Sequence, residues 1–323
     1  MFVVNCDITI GKYNFKTVSD LKVSRSIHSI GATASIKLPL SARLKTSEMS
    51  NTIETNKVFN KGDEVAIKTG FNKLYIEFKG YIKKINYQKE CVIECEDFAY
   101  KLRETSIKKS WPEVSLSDAI SFIKTQVPGL NVTSDIPSMK INKVVLDGKS
   151  ALWFLDEIKT KYGISCFFDI DNVLQVGLMY QYQKGEVSYN LGYNCPDETD
   201  LQYVEENDIK LKVKAVGIKK DGTKIEKELG DADGELRTLY FYDISDSATL
   251  KTLAENELKK YKFTGYRGKI TGFLDPFCTV AMKAIVTDSI YKERKGSYYV
   301  ESVETSISES GGRRIVELGL KLG

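Results

Sequence analysis

Two versions of one stretch decide the fold. Lys61–Gly70, "KGDEVAIKTG", leads into Tyr75–Asp97, "YIEFKGYIKKINYQKECVIECED"; late in the chain Leu274–Ala284, "LDPFCTVAMKA", leads into Gly296–Gly319, "GSYYVESVETSISESGGRRIVELG". Each version presents a turn, a strand, a connector, a second alternating strand, a hairpin tip and a third strand, in the same order. A duplicated module is a statement about shape, because two copies of one barrel let a single chain imitate two subunits of a ring.

Residues 1 to about 105 read as β throughout. "VNCDITIGKYNF" is two short strands about a Gly-Lys turn, and "DLKVSRSIHSIGATASIKLPL" is one long period-2 run ending at Pro39. Residues Ser41 to Asn60 are polar, without period and too long for an ordinary hairpin loop. Five or six short antiparallel strands with regular turn signals predict a small barrel or sandwich. After Arg103 the texture changes. Ser115 and Asp118 open a helix that stops at Pro128-Gly129, Ser150 caps a second that stops at Gly163, and a third starts near Ser247. Hairpins turn at Asp171-Asn172 and at Asp221-Gly222. Helical and β segments interleave, so one domain is inserted into another.

Composition excludes much. Net charge is +3, from 47 Lys plus Arg against 44 Asp plus Glu, which creates no strong field for nucleic acid or membrane. No window approaches the roughly 20 apolar residues of a spanning helix. The six cysteines sit among apolar or strand-like neighbours and read as reduced core or wall residues. Cys91 and Cys95, four residues apart on a strand, are separated by about 13 Å, too far for a disulfide or a shared zinc. His28 is the only histidine and reads as a polar-face strand residue, which removes most histidine-based mechanisms. No metal, cofactor or catalytic set is expected. Asp169 and Asp171 in "FDIDN" could hold a divalent ion, but both fit a hairpin tip; Glu94 and Glu96 could form a carboxylate pair, but fit a solvated strand face. These four would carry a cell-wall hydrolase. Lys79, Lys83 and Lys84 interleaved with Tyr81 and Tyr87 would carry a single-strand nucleic-acid-binding barrel.

The order "ITIGKYNF", "GDEVAIKTG" with "FKGYIKKI", "IECEDFAYKL", "SLSDAISFI", "KSALWFLDEIKTKYGISCFFDIDNVLQVG" and the final "GSYYVESVETSISESGGRRIVELG" resembles the baseplate hub proteins of phage tails, the late-control-D-like family, over nearly the whole chain. The resemblance implies a mainly β fold with an α+β insertion: two tail-tube-like antiparallel β-barrels and a smaller α+β domain. It places barrel one at 1–105, the α+β middle at 106–200 and 235–270, and barrel two at 201–234 and 271–323. It further implies a non-enzymatic homotrimer whose six barrels form a pseudo-sixfold ring, joining the tail tube protein above to a spike below and leaving a channel for phage DNA. The chain ends after the second barrel's hairpin, so the spike and any lytic enzyme are expected on separate polypeptides. Such a protein is assembled in the host cytoplasm and resides in the virion, at the tail baseplate. In that setting the loop Ser41–Asn60 is expected to contact the neighbouring ring through Lys45, Glu48, Asn51, Glu54 and Lys57. Gly311-Gly312 is expected to form the last hairpin's tip. Arg313 and Arg314, adjacent on a strand, point to opposite faces and are expected to meet acidic neighbours across a subunit interface.

Overall fold

The computed structural model describes residues 4–43, 52–87, 89–136, 140–162, 164–195, 200–219, 222–242 and 247–322. Its centre is a 13-stranded sheet. In the first β unit the order is Tyr13–Phe15, Asn5–Ile10, Glu64–Gly70, Tyr75–Tyr87, Cys91–Glu96, Thr33–Leu38 and Asp20–Ser26. Strand Asp20–Ser26 then pairs with Gly296–Ser308, and the second unit continues through Gly311–Leu322 and Gly265–Gly272 to Asp200–Val204. Lys283–Asp288 flanks Gly296–Ser308 and carries Glu186–Leu191 in parallel. The two expected barrels are therefore one continuous path, and among the described residues neither closes into a ring.

The repeat holds in register. Glu64 faces Tyr81 and Val65 faces Gly80 in the first unit; Lys283 faces Tyr299 and Ala284 faces Tyr298 in the second. The turn before each strand docks on the long strand by the same reciprocal bonds. Gly62 N–H donates to Ile82 O and Ile82 N–H to Asp63 O, while Ala281 N–H donates to Val300 O and Val300 N–H to Met282 O, all at 2.8–2.9 Å. Both turn residues have positive φ, +92° at Gly62 and +64° at Ala281. One residue later each long strand bulges against its hairpin partner, leaving Lys83 and Glu301 as the extra residues. Strand lengths agree too, at 13 residues for each long strand.

Alternating apolar residues bury one face of each unit. Ile8, Ile36, Ile67, Phe78 and Ile93 fill the first core; Tyr189, Ile270, Tyr298, Val300 and Val316 fill the second. Within the first unit, strand Tyr75–Tyr87 passes so close to Cys91–Glu96 at Gly80 that a Cβ would sit 2.3 Å from Glu96 O and 2.7 Å from Phe78 Cζ. Gly80→Ala is expected to destabilise the protein by at least ~1–3 kcal/mol, the cost of overpacking against backbone, measured by chemical unfolding.

In the middle unit the two helices expected after Arg103 form where their caps predict, but Ala99–Glu104, inside the stretch 1–105 that reads as β, is a helix and not a strand. Helix α1, Ala99–Glu104, leads through strand Ser106–Ser115 to α2, Leu116–Gln126, whose cap Ser115 Oγ accepts from Asp118 N–H at 3.0 Å. Helix α3, Ala151–Tyr162, is capped by Ser150 Oγ, which accepts from Trp153 N–H at 3.2 Å; the predicted stop Gly163 lies outside the described residues. Ala119, Ile120, Ile123, Leu155 and Ile158 pack against hairpin Ser165–Phe168/Val173–Gly177. That hairpin turns at Asn172 with φ +60°.

Three further expectations are corrected. The run Asp20–Leu38 is two strands, Asp20–Ser26 and Thr33–Leu38, and His28 stands in the turn between them; Ile27 and Ile30 stay buried there, three positions apart, so the period-2 pattern slips by one residue at the turn. Segment 201–234 does not go as a whole into the second β unit. Asp200–Val204 joins the large sheet, whereas Leu211–Ile218 and Lys224–Gly230 pair with Glu235–Tyr242 in a separate three-stranded sheet. Helix α4, Ser247–Tyr261, covers that sheet, packing Leu250 and Ala254 on Leu211, Val213 and Ala215, as an apolar sheet face requires. Of its expected turn, Asp221 lies outside the described residues. Finally, the last hairpin's tip is Glu309-Ser310. Gly311 follows it with φ +101°, and Gly312 is already in the strand, where Leu274 Cδ1 would lie 2.6 Å from any Cβ.

Candidate functional site

The buried charged side chains Arg25, Glu77, Asp97, Glu301 and Arg314 lie at joints between units. At the seam between the β units, strands Tyr75–Tyr87 and Glu64–Gly70 pair with one extra residue at Glu77, and that bulge turns a carboxylate inward. Glu77 is buried and accepts from Thr69 Oγ1 at 3.1 Å and from Thr305 Oγ1 at 3.0 Å. Arg314 of the last strand comes from the other side. Its Nη2 ion-pairs with Glu77, and its Nη1 donates to the carbonyls of Leu274 and Pro276. The guanidinium also lies 5.0 Å from the Phe277 ring, which stacks on Tyr75 at 4.8 Å. Arg314 is 1% exposed. It is spent inside the chain, so the expected role across a subunit interface is withdrawn for it. Arg313 does lie on the other face, half-buried, with its guanidinium 5.2 Å from the Phe273 ring.

A second joint ties the first β unit to the middle unit. Arg25 is buried and its Nη1 donates to Phe168 O and Asp169 O, each at 2.9 Å, with Asp97 at 3.6 Å. Asp97 Oδ2 accepts from Ala32 N–H at 2.7 Å and Oδ1 from Ala99 N–H at 3.0 Å. Burial pushes the Asp97 carboxyl up to about 6 in spite of these donors and of Arg25. The same burial pulls the Arg25 guanidinium below its ordinary value.

The third joint links the middle unit to the second β unit. The bulge residue Glu301 is buried, accepts from Tyr180 Oη, and lies 3.0 Å from His28 Nε2. Burial works to raise its pKa, but the bonds from His28 and Tyr180 hold it below the usual range.

The residues that would have carried chemistry are engaged elsewhere. Asp169 accepts from the N–H groups of Asp171 (2.9 Å) and Val173 (3.0 Å), from Gln175 Nε2 (3.2 Å) and from Tyr182 Oη (2.9 Å), with Lys184 Nζ at 3.3 Å. It organises its own hairpin, and Asp171 pairs with the same lysine. Glu94 accepts from Asn86 Nδ2 at 2.7 Å, while Glu96, buried, takes Arg103 Nε at 2.9 Å and Lys83 at 3.7 Å. Tyr81 stacks on Tyr100 at 5.5 Å with Lys101 Nζ 4.5 Å from its ring, which covers the face a nucleobase would need. All six cysteines are free and buried. Among the described residues no group of three or more potential ligands could hold a metal, and no helix is long and apolar enough to cross a membrane.

The expected contact loop is less featureless than its composition suggests. Ser41–Arg43 pairs with Thr52–Glu54, a 3-10 turn covers Thr55–Lys57, and Phe59 is buried against Tyr13 and Phe15. Glu54 and Lys57 are exposed and pair with each other at 2.7 Å. Lys45, Glu48 and Asn51 lie outside the described residues.

No family model matches this sequence, and no curated protein matches it. Solved structures do. The chain is similar to the 43 kDa tail protein of prophage MuSo2 from Shewanella oneidensis (14% identity, 98% of each chain covered, TM-score 0.66) and to a tail protein from Neisseria meningitidis MC58 (13% identity, 98% of this chain and 97% of that one, TM-score 0.68). It is also similar to the E. coli c3393 protein, a type VI secretion system component with structural similarity to T4 bacteriophage tail proteins (10% identity, 98% of this chain and 77% of that one, TM-score 0.55). The fold is that of phage tail proteins, along the whole chain.

Proposed function

We propose that this chain is a structural baseplate hub of a phage tail or of a related injection machine. Three copies form a ring of six similar β units. The ring joins a sixfold tail tube to a threefold spike, and DNA passes through its channel without sequence-specific contact. The observation that carries this reading is the in-register repeat: two modules with the same strand order, docking turn and bulge, fused by strand pairing within one chain. The fold likeness to tail proteins supports it independently. The carboxylates at the joints fit a load-transmitting body, since each is bonded to donors from another segment.

Mass measurement tests the reading. A trimer is expected at micromolar concentration, whether alone, with tube protein or with spike protein added; a strict monomer in all three conditions overturns it. The loop Ser41–Asn60 is proposed to meet the neighbouring ring. Alanine at Lys45, Glu48 and Asn51 together should leave the trimer intact and abolish tube attachment, read by co-sedimentation. Deleting all of Ser41–Asn60 is the wrong test, because it removes Phe59 from the core.

A further inference from the structure

The repeat leaves one position filled in the second module and open in the first. In the second, residues Ser302–Ile307 of the long strand are covered on the side away from Gly311–Leu322 by strand Asp20–Ser26. The equivalent residues of the first module begin at Lys84, as fixed by the matching docking residues Ile82 and Val300 and the matching bulges. No strand among the described residues covers that side of Lys84–Asn86. The difference shows in burial: Val303 is buried, but its counterpart Ile85 is only partly so, and Tyr87 is 42% exposed.

The complementary strand is also present with an open edge. Working outward from the long strands, Cys91–Glu96 corresponds to Arg314–Gly319 within Gly311–Leu322, Thr33–Leu38 to Gly265–Gly272, and Asp20–Ser26 to Asp200–Val204. The correspondence keeps register, setting Ile36 on Ile270 and Val23 on Leu201. Among the described residues Asp200–Val204 ends the sheet and pairs on one side alone. Bare strand edges invite another strand.

We infer that Asp200–Val204 of one copy pairs antiparallel with Lys84–Tyr87 of the next, reproducing between subunits the junction that Asp20–Ser26 makes with Ser302–Ile307 within the chain. This rests on the ring reading proposed above and names its seam. The register follows from the internal junction, where Ser302 faces Ser26, Glu304 faces Ser24 and Thr305 faces Val23. Transferred, it sets Lys84 opposite Val204, Ile85 opposite Tyr203, Asn86 opposite Gln202 and Tyr87 opposite Leu201. The apolar side chains Ile85 and Tyr87 thereby meet Tyr203 and Leu201, and Asp200 lies past Leu201, toward the hairpin end of the strand that carries Lys84. Each copy offers one edge of each kind, so the contact is head-to-tail and closes with the ring.

Cysteine pairing reads the seam directly. Directly opposed residues of an antiparallel pair have Cα atoms about 4.5–5.5 Å apart, within disulfide range. The native cysteines are buried, so they do not compete. Asn86→Cys with Gln202→Cys in one chain should give, on mild oxidation of the assembled protein, a covalent trimer on a non-reducing gel. Each single variant should stay monomeric on that gel, and Asn86→Cys with Val204→Cys, off register by two, should cross-link at least tenfold less. A trimer by mass that fails to cross-link in the first variant, or cross-links equally in the off-register one, overturns the seam and leaves the hub standing. A protein monomeric by mass under every condition overturns the hub reading itself.

Discussion

Replacing Arg314 with alanine should cost about 3–5 kcal/mol of stability, the range found when one partner of a buried ion pair is removed and the other is left uncompensated. Glu77 is the residue left behind. It sits 5% exposed or less between the two β units, with two threonine hydroxyls that cannot neutralise it. The carbonyls of Leu274 and Pro276 lose their donor in the same substitution. Denaturant unfolding of the variant against the natural protein measures the loss. Two controls separate the pair from mere bulk. Arg313→Ala, on the adjacent outward face, should change stability by no more than about 0.5 kcal/mol. Glu77→Met combined with Arg314→Met removes both charges and keeps volume, and should recover most of the loss. If the double variant is as unstable as Arg314→Ala, the seam is held by the hydrogen bonds to Leu274 and Pro276 rather than by charge.

That prediction could not have been made from the sequence, and the reason is physical. The alternation of "RRIVELG" shows correctly that Arg313 and Arg314 face opposite ways. It cannot show which face is covered, because the cover comes from a strand more than two hundred positions away. Glu77 is hidden for a related cause. It interrupts the alternation of "YIEFKG", and only the pairing partner reveals that the interruption is a bulge aimed inward. Glu301 in "YYVESVE" is the same case in the other module. What was legible was whatever short-range chemistry fixes: the caps Ser115 and Ser150, the turn at Asn172, the apolar stripe of α4, and the order of strands in the two echoes. The hairpin Leu211–Gly230 was recognised as a hairpin but assigned to the wrong sheet, since its alternation is equally suited to any apolar cover and α4 supplied one. His28 reads as a strand residue because the apolar alternation runs up to Ile27 and resumes at Ile30, with only a one-residue slip of phase to mark the turn. Its bond to Glu301 then depends on the bulge, which no local pattern announces.

The joint around Asp97 should give stability a pH slope opposite to that of an ordinary paired carboxylate. An aspartate titrates near 3.9 in an unfolded chain, whereas burial holds Asp97 at about 6 in the folded protein. Between those values the folded state binds more protons than the unfolded one. Stability therefore falls as pH rises from about 4 to about 6, by up to ~3 kcal/mol for a two-unit difference. Asp169 and Glu301 act the other way. Their folded pKa values are depressed, so the stability they contribute is present above their unfolded values and is lost as pH drops through the folded ones. The two effects occupy different windows, the second at lower pH. Denaturant unfolding at pH 4, 5, 6 and 7 should show the natural protein losing stability across the upper window while Asp97→Asn does not, whatever the absolute stability of that variant. Equal slopes in the two proteins would mean that Arg25, 3.6 Å away, and the N–H groups of Ala32 and Ala99 compensate the buried charge in full. With the slope as expected, the joint between the first β unit and the middle unit is tightest under mildly acidic conditions, because protonated Asp97 no longer bears the cost of a buried charge.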